Sequence, residues 1–390
     1  MEKVRVGIIG VGNMGGAHAW QIACGNIPGM ELTALCDNNP THLESVKERF
    51  GDIPAFLDYN DLLKSGLTDA VIIATPHYLH PPIAIAAFER GQHVLSEKPA
   101  GVYVKQIRAM NDAAKKSGKI FGIMFNQRTN PLFAKARQIV QGGELGELKR
   151  MVWIITNWYR SQHYYDSGSW RATWSGEGGG VLMNQAPHNL DLWQWICGMP
   201  KSIRATCPVG KYHSIEVEDE ASIFAEYENG ATAAFLTSTG EYPGTNRLEI
   251  SGTLGKLVIE GGKLTHWRLN ASERDVCFAS DKSFPSIETE VTVLEQTERE
   301  SAHAGILQNF AAAILHGEEL LAPGYDGIYE ATLTNAAYYS AWHDTKVTLP
   351  LDEDAYYADL RLHIESSSGE KQGTGAKAHN KYSDRWQVNW

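Results

Sequence analysis

Apolar and polar positions follow two different rhythms along this chain, and the change of rhythm divides it. Over roughly the first third, short and nearly continuous apolar runs recur at 4–10, 31–36, 70–74, 93–95 and 119–125. Runs of that kind between turn residues read as strands buried on both faces. The stretches between them read as helices: one through about residue 25, then 41–50, 60–65, 82–90 and 102–117. Repeated strand–helix units of this length predict an α/β fold with a doubly wound parallel sheet. A helix over 130–142 bridges to the second rhythm, and Gly142-Gly143-Glu144-Leu145-Gly146 marks the change.

Beyond it lie longer β-rich segments at 148–158, 202–208, 221–227, 231–239, 246–251 and 256–260. Glu228-Asn229-Gly230 and Gly252-Thr253-Leu254-Gly255 separate several of them, which predicts a mostly antiparallel sheet. Two late helices, 303–316 and 326–343, are apolar on one side. After Pro350 the chain turns polar; 366–380, rich in Gly, Ser and Lys, reads as a flexible tail, and 382–390, with two Trp, is expected to dock on a neighbouring subunit. The predicted units are 1–127, 128–350 and a partly flexible extension over 351–390.

Composition narrows the functional classes. A net charge of −11 with no basic run argues against a nucleic-acid partner. Cys24, Cys36, Cys197, Cys207 and Cys277 are odd in number and lack CxxC spacing. They read as reduced cytoplasmic thiols, with neither a disulfide framework nor a metal site. The first strand starts almost at the first residue, so no signal peptide is expected, and no apolar run reaches the roughly 20 residues of a membrane span. A soluble cytoplasmic protein is the expectation.

The first chemistry follows the first strand. In Gly10-Val11-Gly12-Asn13-Met14-Gly15 the first glycine permits a tight turn and the second lets backbone approach a pyrophosphate. The third lets helix and strand pack closely, with the helix N-terminus facing the phosphates. A lone GxGxxG is weak, but the second strand ends in Asp37, about 20 residues on. A carboxylate there accepts from ribose hydroxyls and repels a 2′-phosphate, and Asn38 and Asn39 follow where a phosphate-binding site would want Arg or Lys. The bound cofactor reads as NAD. Ligands of such sheets lie beyond the carboxyl ends of the strands, where Thr75, Pro76, Glu97, Lys98, Asn126 and Arg128 fall. His77 and His80 lack a nearby carboxylate or Cys to complete a metal set, so they read as cofactor-loop or capping residues. In Ser96-Glu97-Lys98-Pro99, a Lys at the mouth of a buried strand can be desolvated and suited to proton transfer.

A second constellation lies at 158–180, dense in Trp158, Tyr159, Arg160, His163, Tyr164, Tyr165, Trp170, Arg171 and Trp174. Aromatic faces pack on sugar C–H surfaces, while Arg and Tyr hydrogen-bond hydroxyls; a loop packed by its own aromatics is the alternative. Gly178-Gly179-Gly180 then opens a helix predicted over 181–197, whose one face carries Asn184, His188 and Asp191.

The fingerprint, Glu97-Lys98-Pro99 and the 178–191 stretch together resemble the Gfo/Idh/MocA oxidoreductases, through about residue 345. The resemblance implies a Rossmann domain followed by an α/β domain with a large open sheet that builds dimers or tetramers. It implies NAD(P)-dependent oxidation or reduction of a sugar or cyclitol hydroxyl. The family's lysine falls on Lys98 and its histidine on His188; its usual Asp, four residues before that His, falls on Asn184. In the implied chemistry His188 is the general base and Lys98 stabilises developing alkoxide charge. Asn126, Arg128, Trp158, Arg160, Tyr164, Arg171 and Asn184 hold the other hydroxyls or the nicotinamide ribose, with Trp170 beside the cofactor and Tyr242 reaching the same cleft. Two other readings stay open: redox-neutral glycoside cleavage through transient oxidation, and a silent NAD-binding subunit.

Overall fold

The computed structural model describes residues 2–296 and 300–368. Most of the tail expected at 366–380, and all of 382–390, lie outside the described residues.

Strands β1 (Val4–Ile9), β2 (Met30–Cys36), β3 (Ala55–Phe56), β4 (Ala70–Ile73), β5 (His93–Ser96) and β6 (Phe121–Ile123) form one sheet in the order β3-β2-β1-β4-β5-β6. Every pairing is parallel. In β1 only Arg5 is exposed, as a strand covered by helices on both faces requires. Strand order reverses beside β1, between β2 and β4, and this opens a crevice at their carboxyl ends. The run at 119–125 yields only three strand residues, because a 3-10 turn over Asn126–Thr129 follows soon after. The helix read at 82–90 starts at His80, with Pro81 in its first turn, where a missing N–H leaves nothing unsatisfied.

The second sheet uses β7 (Leu148–Ile155), β8 (Ser202–Thr206), β9 (Glu220–Glu226), β10 (Thr232–Ser238), β11 (Asn246–Gly252), β12 (Gly255–Glu260), β13 (Lys263–Leu269), β14 (Thr289–Glu295) and β15 (Val347–Thr348). Their order is β14-β13-β12-β11-β7-β10-β9-β8-β15. Only β7 and β10 pair in parallel; the other described ladders of this sheet are antiparallel. The hydrophobic pattern missed β13 to β15. β14 is the reason in miniature: all seven of its residues are exposed, so no buried face prints an alternation on its sequence.

Two further differences concern helices. The helix expected over 181–197 is two pieces, Val181–Asn184 and Pro187–Cys197. The break falls at Gln185 and Ala186, just before Pro187, whose missing N–H cannot continue the first piece's hydrogen bonds but suits the first position of the second. The polar stretch after Pro350 is not wholly tail: it forms the helix Glu353–Ser366, capped by Asp352, whose side chain accepts from the N–H groups of Asp354 and Ala355 at 3.0 Å each. Of the late helices, Ala302–His316 sends Ile306, Leu307 and Phe310 into the core of the parallel sheet, although it follows all strands of the second sheet but β15.

Candidate active site

The cofactor cradle follows from β1 and the helix Asn13–Ala23. A side chain at Gly15 would place its Cβ 1.8 Å from the Gly10 carbonyl oxygen, so only glycine lets this helix start against the strand. At Gly12, the residue capping the helix, a Cβ would meet nothing within 4 Å, and the first turn holds no acidic residue. Backbone N–H groups at that open end suit phosphate oxygens. Asp37 ends β2 with Oδ2 accepting from Val11 N–H and Oδ1 from Asn39 N–H, both at 2.9 Å. A carboxylate has about four acceptor positions, so two remain for ribose hydroxyls. At the ends of β4 and β6, Thr75 Oγ1 and Asn126 Oδ1 are buried polar atoms with no protein partner among the described residues, which a bound dinucleotide would satisfy. These residues fit NAD.

The two histidines of the third loop brace this cradle. One ring nitrogen of His80 lies 2.8 Å from the Pro99 carbonyl and the other 2.7 Å from the Thr75 carbonyl, tying the loop at Thr75-Pro76 to the Lys98-Pro99 turn. His77 donates from Nδ1 to the Glu177 carbonyl at 2.9 Å and meets Trp170 edge-on at 5.6 Å. Burial keeps His77 well below the ordinary imidazole range, so it is neutral.

Behind Lys98 lies a buried anion. Glu97 Oε1 is 2.8 Å from His18 Nε2, and Oε2 accepts from the Lys98 N–H at 3.1 Å. Burial pushes the Glu97 carboxyl up, but His18 more than reverses this and holds it at about 2. His303, whose ring sits 5.8 Å from that of His18, is brought down to about 4 by burial. Lys98 Nζ donates to the Asn184 carbonyl at 2.9 Å. Burial lowers the Lys98 ammonium, while Glu97, Glu177 and Glu330 oppose the shift. His188 opens the helix Pro187–Cys197 against the edge of Phe125, at 6.4 Å. Burial first, then the Lys98 charge, keeps it far below the usual histidine range. A neutral imidazole beside an ammonium is a ready proton acceptor next to a ready charge stabiliser.

Asn184 faces a residue that the sequence reading missed. Its Nδ2 donates to Glu177 Oε1 and lies 3.4 Å from the Tyr164 hydroxyl. That hydroxyl also receives Arg171 Nη1 at 2.8 Å and Gln185 Nε2 at 3.1 Å. Arg171 lies over the rings of Tyr164 and Trp170, at 4.7 and 4.9 Å, and Arg160 over Tyr164 at 5.2 Å. Glu177 stands directly before the glycines that were singled out, but nothing local distinguishes its carboxylate from the other 45 acidic side chains. Gly180 has the same kind of local cause as Gly15: a Cβ there would lie 1.8 Å from the Glu218 carbonyl.

Three expected ligand residues sit elsewhere. Arg128 is buried in an ion triad, with Nη2 2.6 Å from Asp191 and Nη1 2.7 Å from Asp326. It locks the turn after β6 to the helix Pro187–Cys197 through Asp191. Trp158 is a core side chain beneath Arg160, which lies 5.9 Å from its ring. Tyr242 is 82% exposed and packs on Tyr159, at 5.6 Å, rather than into the cleft.

Comparison with known proteins agrees with this architecture. Residues 4–125 match the oxidoreductase family with an NAD-binding Rossmann fold, and 133–258 match the GFO/IDH/MocA C-terminal domain. Levoglucosan dehydrogenase from Pseudarthrobacter phenanthrenivorans is 26% identical over 314 residues, 73% of this chain and 78% of its own length. D-glucoside 3-dehydrogenase from Escherichia coli is 27% identical over 371 residues, 89% of this chain and 98% of its own. The crystal structure of the WlbA dehydrogenase from Bordetella pertussis, in complex with NADH and UDP-GlcNAcA, superposes with a TM-score of 0.75 at 27% identity, covering 90% of this chain and all of that one. With the cradle, the half-buried lysine and both domain matches in hand, the chain belongs to the Gfo/Idh/MocA oxidoreductases and is NAD-dependent.

Proposed function

We propose that this protein oxidises a secondary hydroxyl of a sugar, glycoside or cyclitol, with His188 and Lys98 handling the hydroxyl proton. The observation that carries the reading is the pairing of a buried, neutral His188 with a half-buried Lys98, whose turn follows the carboxyl end of β5. NAD, when bound, supplies the hydride acceptor. Gly12, Asn13 and Met14 would hold its pyrophosphate, Asp37 its adenosine ribose, and His77, Trp170 and Arg171 would flank the nicotinamide end. His188 takes the hydroxyl proton as general base, since burial leaves it uncharged. Lys98 donates to the same oxygen and stabilises the negative charge that builds there. Tyr164, Arg160 and Asn184 orient the neighbouring hydroxyls. Relatives named for levoglucosan and D-glucoside support a carbohydrate substrate.

The test is Lys98→Ala. Turnover is expected to fall by about two to three orders of magnitude, the scale of losing a charge-stabilising donor. NAD affinity, measured by fluorescence titration, should stay within a few-fold, because the cradle is built by other elements. Retained turnover would remove Lys98 from the mechanism.

A further inference from the structure

The carboxylate of Glu177 lies in the interior, directly behind Asn184. Its Oε2 accepts from the Ala172 N–H at 2.6 Å, its Oε1 accepts from Asn184 Nδ2, and the Arg171 guanidinium is 3.9 Å from Oε1. Both oxygens therefore act as acceptors. Burial pushes the Glu177 carboxyl up and Arg171 opposes this; in its ionised form it has no proton to offer, so the Asn184 group facing it is the amide nitrogen. The second hydrogen of that nitrogen points to the Tyr164 hydroxyl. With its donors directed at Glu177 and Tyr164, Asn184 turns Oδ1 the other way. Among the described residues that oxygen receives no protein donor, and it is not sealed in the interior. The Asn184 backbone carbonyl meanwhile accepts from Lys98 Nζ.

We propose that Glu177 is a positioning residue: it fixes the Asn184 amide so that Oδ1 is the acceptor for a substrate hydroxyl next to Lys98. The role rests on the dehydrogenase reading above. One carboxylate and one amide then do together what a single carboxylate could do at position 184, with the negative charge set one side chain deeper. The charge still bears on Lys98, because Glu177 is among the groups that favour its ammonium form. The groups facing the pair are Lys98, Arg171, Tyr164 and His77, and Glu97 and Glu330 also act on Lys98.

The experiment is a charge exchange in the full-length enzyme, using Glu177→Gln, Asn184→Asp and the two together. Glu177→Gln should lower kcat about tenfold or more, because a free amide rotor misplaces the acceptor. Asn184→Asp sets two carboxylates in contact, so one must hold a proton; its kcat and its Tm should both fall as pH rises through neutrality. The double variant restores one carboxylate and one amide, and should recover kcat to within a few-fold of the parent and remove the pH-dependent loss of Tm. Should Glu177→Gln fail to fold, the pH dependence of kcat and Tm in Asn184→Asp decides alone. A Glu177→Gln enzyme with parental kcat and pH profile, or a double variant whose losses merely add, overturns the role and leaves the dehydrogenase reading standing. A parent enzyme that oxidises no sugar, glycoside or cyclitol removes both.

Discussion

At the scale of single residues, local constraints were the ones visible in the sequence. Gly15 is fixed by its own turn, so spacing along the chain points to it; Lys98 is marked by the turn it sits in, although its Nζ partner is Asn184, 86 residues on. Glu177 and Glu330 bond to residues within seven positions of themselves, but their burial comes from the packing of the whole fold, and nothing adjacent marks them as special. Glu330 is fully buried with one oxygen receiving the Thr334 hydroxyl at 3.0 Å, and burial pushes its carboxyl up to about 8. In the unfolded chain a Glu titrates near 4.3. The folded state therefore holds this proton where the unfolded state has released it. The stabilising contribution is complete below about pH 4.3 and is lost as pH rises through about 8. Glu330→Gln, which keeps the neutral shape, should show a smaller drop in melting temperature than the parent between about pH 5 and pH 9. Equal drops in both proteins would mean that Glu330 is already ionised in the fold.

At the scale of elements, strands buried on both faces and the GxGxxG turn were legible because a continuous apolar run and a glycine pattern are properties of the segment itself. The edge strand β14 was not, having no buried face, and the 181–197 helix was read through its own interruption at Pro187. Arg128 shows the same limit. Its position at a strand end suggested a ligand contact, but its partners Asp191 and Asp326 lie 63 and 198 residues away. The triad joins the turn after β6, the helix Pro187–Cys197 and the turn before Gly327–His343. That joint holds the His188 helix against the parallel sheet. Arg128→Ala leaves Asp191 buried with its main partner gone, a loss on the order of 3–5 kcal/mol. Urea denaturation should show that loss in the midpoint. An unchanged midpoint with a raised KM would restore Arg128 to the substrate.

At the scale of the whole molecule, two sheets divide the work. The parallel sheet supplies a crevice at its strand order reversal, and the second supplies the aromatic loop and the glycine-rich entrance that close over it. Helix Ala302–His316 returns to the first core after eight of the second sheet's nine strands, and β15 then rejoins that sheet, so the two layers are held together by chain that crosses back. The amino-acid pattern could announce both sheets but not this return. No helix among the described residues is long and apolar enough to cross a membrane.

The central claim is hydride removal from a carbohydrate hydroxyl, and its most direct measurement is NADH absorbance over time with NAD⁺ and a panel of inositols, free hexoses and aryl glycosides, with aglycone release followed in parallel. The account predicts NADH growing in proportion to one class of these ligands. Aglycone release without NADH build-up would contradict it, because the redox cycle would then close within each turnover and the protein would be cleaving glycosides rather than oxidising them.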